Sequence, residues 1–190
     1  YLIKYFLIDY LYTGDTDNAA KLEKLLGDGG HILDRCVRMI LVSAASGFFE
    51  TEEEHFTGTL REQLQREFYY INLNPNESLL LFTEKYADYK TLADMLRRFL
   101  LKQYESDCYF AVSDAVTDWY SMPEEFRRLE KMLERQFYQP NQHVFFSGDP
   151  GEEKQDAPGE DSEIMEQITH DIQYREIALL KQEFPRREKI

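Results

Sequence analysis

The chain reads as an α+β domain. It predicts an antiparallel sheet in split β-α-β-β-α-β order, with helices mainly on one face and extra helices at both termini. Three observations predict this. Short runs of β-branched and aromatic residues alternate with longer stretches of helical apolar spacing. Two such runs are joined directly by Asn74-Pro75-Asn76-Glu77-Ser78, turn chemistry in which Pro presets φ and Asn tolerates the left-handed region. Helix-start signals, Thr51-Glu-Glu-Glu54 and Ser121-Met-Pro-Glu124, stand ahead of two of the helical stretches.

The elements follow in order. Residues 1–12 are almost wholly apolar, with Ile3, Phe6, Leu7 and Tyr10 at helical spacing. The stretch has no cap, which reads as a helix continuing from preceding sequence. Thr16 or Asp17 caps a second helix carrying Ala20, Leu22, Leu25 and Leu26, and Gly27 to Gly30 stops it. Arg35 to Val42 is apolar on both faces, the pattern of a central strand. A helix placing Phe56, Leu60 and Leu64 on one stripe comes next. Phe68 to Leu73 and Leu79 to Phe82 form a hairpin around a five-residue tip. Asp88 caps a helix with Leu92, Met95, Leu96, Phe99 and Leu100 on a wide apolar face. Cys108 to Ser113 is another strand, Phe126 to Phe137 another buried helical stripe, and His143 to Phe146 a last short strand. Gly148 to Glu163 is Gly, Pro and acid, an exposed linker; from Ser162 a final helix carries Ile164, Ile168 and Ile172. This divides the chain into N-terminal helices (1–30), a central domain (31–148), an acidic linker (149–161) and a closing helix (162–190).

Charge excludes two classes of partner. Of 190 residues, 22 are basic and 36 acidic, for a formal net charge of −14. A surface that negative repels nucleic-acid backbones and anionic membrane surfaces alike. No apolar run approaches the roughly 20 residues of a spanning helix. Cys36 and Cys108 sit in apolar runs and read as buried thiols, on neighbouring strands and close to one another. His31, His55, His143 and His170 are scattered, and no metal site is expected. Gly27-Asp-Gly-Gly30 lacks the Lys-Ser/Thr of a phosphate cradle and reads as a helix stop. Glu50 and Glu52 to Glu54 read as an acid-rich first helical turn. No Gly-x-Ser-x-Gly nucleophile turn is present.

The runs 36–42, 68–82, 108–113 and 122–137, in this order around a central hairpin, resemble the GGDEF domain of diguanylate cyclases. More closely, residues 35–146 resemble the degenerate GGDEF-like central domain of AraC-type response regulators. The resemblance implies a GGDEF/ferredoxin-like fold lying between a receiver domain and a helix-turn-helix DNA-binding domain. A working cyclase needs carboxylates at the end of the first strand and at the hairpin tip to hold divalent ions on a triphosphate. Here Val42-Ser43-Ala44-Ala45-Ser46-Gly47 carries no acid, and the tip reads Asn74-Pro75-Asn76-Glu77-Ser78, with Glu77 the one acid left. No catalytic, cofactor or metal-binding residue is therefore expected. The resemblance implies a non-catalytic relay and dimerisation domain that is cytoplasmic and homodimeric. Its expected interaction helices are marked by Tyr1, Tyr5, Phe6 and Tyr10 and by Ile164, Ile168 and Ile172. Two alternatives stand beside it. One is a small-ligand sensor whose remnant cleft is marked by Ser43, Glu77 and Trp119; the other is an unrelated protein-interaction adaptor.

Overall fold

A computed structural model describes residues 2–26, 36, 38–51, 53–85 and 87–148. All its described elements belong to one unit, Tyr1–Asp149; the second unit, Pro150–Ile190, lies outside the described residues and holds the expected linker and closing helix. The Gly27–Gly30 stop and the marker residues Tyr1, Ile164, Ile168 and Ile172 also lie outside them.

The helices are α1 (Leu2–Thr13), α2 (Thr16–Leu26), α3 (Phe48–Thr51), α4 (Glu53–Leu64), α5 (Tyr89–Tyr104) and α6 (Met122–Glu134). The strands are β1 (Arg38–Ser43), β2 (Phe68–Asn74), β3 (Glu77–Phe82), β4 (Tyr109–Val112) and β5 (Val144–Phe146). They form one five-stranded sheet in the order β2-β3-β1-β4-β5. As expected from the element order, β1 lies between β3 and β4.

Two features differ from expectation. The sheet is mixed: β2/β3, β3/β1 and β1/β4 are antiparallel, but β4/β5 is parallel. A helical crossover joins β4 to β5 and returns the chain in the same direction, which a tight turn cannot do. The helices also cover both faces rather than mainly one. On the upper face, Ile40, Val42, Leu80, Phe82, Phe110 and Val112 pack with the buried side chains of α4 and α5. On the lower face, Met39, Leu41, Leu79, Leu81, Ala111 and Phe145 pack with α1, α2 and α6.

Chain geometry explains the second difference. Strands β3, β4 and β5 all run the same way, and both β3→β4 and β4→β5 step in the same direction across the sheet. Their connecting helices α5 and α6 lie on opposite faces. The two crossovers therefore have opposite hands. The right-handed rule, obeyed in about 98% of cases, would have put both helices on one face. What the crossover gains is cover for the lower face. Without α1, α2 and α6, Met39, Leu41, Ile71, Leu79 and Leu81 would meet water, at about 1.5–3 kcal/mol for each large side chain.

The N-terminal helices are part of this core. Leu7, Tyr10 and Leu11 of α1 are buried, and Tyr12 meets Phe126 of α6 edge-on at 5.1 Å. Phe6 is half-buried under Lys21, whose Nζ lies 5.6 Å from the ring centre. Of the expected α1 markers, Tyr5 remains 48% exposed, as does neighbouring Leu2 at 61%. Buried Asn18 of α2 donates to Asp9 of α1 and ties the pair together.

Local signals fared unevenly. Asp88 caps α5 as expected, accepting from Thr91 N–H at 3.1 Å and from Thr91 Oγ1 at 2.7 Å. These donors hold its carboxyl below the ordinary carboxylate range. The expected capping box at Ser121 does not form. Asp118 instead takes the Ser121 N–H at 2.9 Å and the Ser121 hydroxyl donates back to the Asp118 carbonyl at 2.8 Å. Thr51 closes α3, and the expected helix with Phe56, Leu60 and Leu64 starts just after it at Glu53. The hairpin tip is shorter than expected, because Asn74, Glu77 and Ser78 belong to the strands and only Pro75 and Asn76 turn.

Cys36 and Cys108 are both buried free thiols. They are not neighbours. In the β1/β4 register Ile40 faces Val112, so the position opposite Cys108 is residue 44, eight residues along from Cys36. At roughly 3.3 Å per residue that is on the order of 25 Å. Burial pushes the Cys36 thiol up to about 12 and the Cys108 thiol up to about 11. Reaction with Ellman's reagent at pH 8 is therefore expected to be negligible in the native protein and to report two thiols in 6 M guanidinium, on the order of complete labelling once the core opens. Fast native labelling would contradict this burial.

Candidate functional site

Two of the three residues expected to mark a remnant cleft, Ser43 and Glu77, lie at the end of the sheet where β1 leaves and the β2–β3 hairpin turns. β1 ends at Ser43, and the chain turns through Ala44–Gly47 into α3. Ser46 and Gly47 both take left-handed backbone, with φ of 61° and 67°. Glycine suits the second of these because it carries no Cβ to strain.

The tip folds onto this turn. Ala44 N–H donates to the Asn76 carbonyl at 2.8 Å, and Phe49 N–H donates to the Pro75 carbonyl at 3.1 Å. Gly47 N–H donates to the Asn76 side-chain oxygen at 2.8 Å. Asn76 is itself set by its own N–H, which donates to Asn74 Oδ1 at 2.9 Å. Behind it, Asn72 Nδ2 donates to the Asn74 carbonyl at 2.9 Å and to Ser78 Oγ at 3.2 Å, and Tyr70 OH lies 2.8 Å from the same hydroxyl. Backbone N–H groups in a turn that leads into a helix are the usual donors to a phosphate. Here three of them already donate to the hairpin tip.

Asn76→Ala is expected to remove the acceptor of Gly47 N–H and cost about 0.5–1.5 kcal/mol, measured by urea unfolding. The same variant should increase hydrogen exchange at Gly47 more than at Ala44, whose acceptor is a backbone carbonyl.

The structure brings Ser43 and Glu77 together as direct partners across β1 and β3, both half-buried. Trp119 is elsewhere. Its turn, Trp119–Ser121, follows from the Val112 end of β4, whereas Ser43 faces Tyr109 at the other end. Asp118 and Tyr120 flank Tyr10, whose phenol is raised first by burial and then by Tyr120 and Asp118.

Sequence reading missed Glu130. It lies on α6 about 40° around the helix from Phe126 at 3.6 residues per turn, on the margin of the buried stripe. Its Oε1 is buried with no hydrogen-bond partner. Burial, then the negative charges of Glu77 and Glu134, push its carboxyl up to about 8, with Arg127 pulling the other way. The only signal in the sequence was a glutamate flanking an apolar stripe, which ordinarily means a solvated edge.

At β5, His143 stacks on Tyr109 with ring centres 4.4 Å apart. Its Nδ1 lies 3.1 Å from the Cys108 carbonyl and 3.3 Å from Asp107 Oδ1, which also accepts from Arg97 Nε at 3.2 Å. This joins the start of β5 to α5. Among the described residues no three His, Cys, Asp or Glu side chains come together to hold a metal ion. Ser43 and Glu77 supply one hydroxyl and one carboxylate, whereas calcium takes six to eight oxygens and magnesium binds through carboxylates and phosphates in strict octahedral geometry. Among the described residues no helix is long and apolar enough to cross a membrane. Comparison with protein-family models, with curated proteins and with solved structures returns no match.

Proposed function

We propose that this chain is the non-catalytic central domain of an AraC-type transcriptional response regulator. It relays phosphorylation of a receiver domain to a DNA-binding domain of the same cytoplasmic protein, and it pairs with a second copy of itself. The observation that carries the reading is the hairpin tip. Its carbonyls and the Asn76 side chain take the N–H groups of Ala44, Gly47 and Phe49 that a nucleotide phosphate would use. The strand order β2-β3-β1-β4-β5, with the hairpin beside β1, supports a GGDEF-like ancestry for the scaffold. The missing carboxylate at Ser43 supports loss of its chemistry.

The relay then works through packing. α1 is seated on α6 through Tyr12 and Phe126, and α6 lies on β1 and β4. A shift of α1 imposed from its N-terminal side would therefore reach the sheet through one helix. With a net charge of −14, contact with DNA belongs to another part of the regulator.

Light scattering of the whole chain tests the pairing. A dimer mass is expected, reduced to monomer by Leu2→Glu on the exposed side of α1 or by Ile168→Glu in the closing segment. A monomer at all concentrations in the unmodified chain would overturn the pairing. Deleting residues 1–12 is not a clean test, because it removes Leu7, Tyr10 and Leu11 from the core.

A further inference from the structure

We propose that Glu130 is a proton-dependent latch between α6 and the hairpin tip: neutral, it lets the helix close over Glu77, and ionised, it drives the two apart. This does not depend on the relay reading above. Three observations converge on it. Glu130 Oε1 is buried with no hydrogen-bond partner. A carboxylate in that position lacks the donors that would make its charge tolerable. Among the described residues, the charged groups that act on it are Glu77 from β3, Glu134 one turn along its own helix, and Arg127. Two of those three repel an ionised Glu130 and so favour its neutral form. Finally, Glu77 stands at the mechanical end of the sheet. It follows Asn76 in the chain, and Asn76 holds Ala44 and Gly47.

Its carboxyl lies at about 8 in the folded chain against an ordinary 4.5. A raised acid contributes stability that is fully present below its unfolded value and is lost as pH rises through its folded value. The window of loss therefore runs from about 4.5 to about 8. Closure weakens progressively across that window and is weakest above its upper end. Because Glu77 is the cross-strand partner of Ser43, the opening is expected to loosen the tip-to-turn hydrogen bonds first.

The experiment uses the whole chain. Hydrogen-exchange protection is measured at Ala44, Gly47 and Phe49 from pH 6 to 9, and the side-chain carboxyl carbon of Glu130 is titrated by NMR. In the unmodified protein, protection at these three amides is expected to fall by up to about tenfold per pH unit below the Glu130 midpoint, the slope of one coupled proton, and to level off above it. In Glu130→Gln it should stay flat, and in Glu77→Gln the midpoint should move down. An equal fall in Glu130→Gln, or no fall in the unmodified chain, would overturn the latch. So would a Glu130 carboxyl titrating in the ordinary glutamate range, a measurement that stands even if a variant does not fold.

Discussion

Phe56→Ala is expected to destabilise the domain by about 3–5 kcal/mol, the cost of emptying a fully buried phenylalanine site. The site is poorly able to collapse. Phe56 stands at the centre of a ring cluster on the upper face. It meets Phe48 at 5.8 Å, Phe49 at 5.7 Å, Tyr70 at 5.8 Å and Tyr104 at 6.2 Å, all edge-to-face. Such pairs contribute about 0.5–1.5 kcal/mol beyond area burial, so the loss should fall in the upper part of the range. Urea unfolding read by circular dichroism measures it. Phe137, expected on the buried stripe but 72% exposed in the turn Arg135–Phe137 after α6, is the control, and its alanine variant should stay within about 0.5 kcal/mol of the parent. A Phe56 loss below about 2 kcal/mol would mean that α4 does not seal this face.

Phe126→Ala should cost a similar amount, about 3–5 kcal/mol, but with a different distribution. Phe126 is fully buried on the lower face and its ring carries Tyr12 of α1 at 5.1 Å. Its removal takes away both core volume and the seat of the N-terminal helix. Hydrogen exchange should therefore rise first in α1, before β1 and β3 lose protection. Uniform loosening of the whole sheet would show that α1 and α6 are not coupled as the packing indicates.

Much of this architecture was legible in the sequence because single-residue chemistry determined it. Apolar residues on both faces between Met39 and Val42 marked a central strand, and β1 is central. Asp88 was read as a cap and is one. Pro75 and Asn76 marked the turn, although its length was overestimated because Asn74 and Glu77 still pair with each other.

The errors came from tertiary competition. Ser121 was read as a cap, but its hydroxyl donates to the Asp118 carbonyl and its N–H is taken by Asp118, so the box cannot close. The helices were placed mainly on one face because the right-handed rule was applied to every crossover. The both-sided burial of β1 and β3 already required a second layer, and α6, on a crossover of opposite hand to that of α5, supplies it. The parallel β4/β5 pair follows from the same connection. Of the three residues that the resemblance grouped, the β1/β3 register puts Ser43 and Glu77 opposite one another. Trp119 was not, because nothing local shows at which end of the sheet a connecting turn begins. Glu130 was missed because its environment is made first by tertiary burial and then by Glu77, more than fifty positions away in the chain.

Titration of the ¹⁵N-labelled chain with GTP and magnesium, following the Ala44, Gly47 and Phe49 amides alongside an assay for pyrophosphate release, tests the central claim most directly. With these three N–H groups already given to the hairpin tip, the expected result is no saturable shift at any of them and no pyrophosphate released. Saturable shifts at these amides together with turnover of GTP would contradict it.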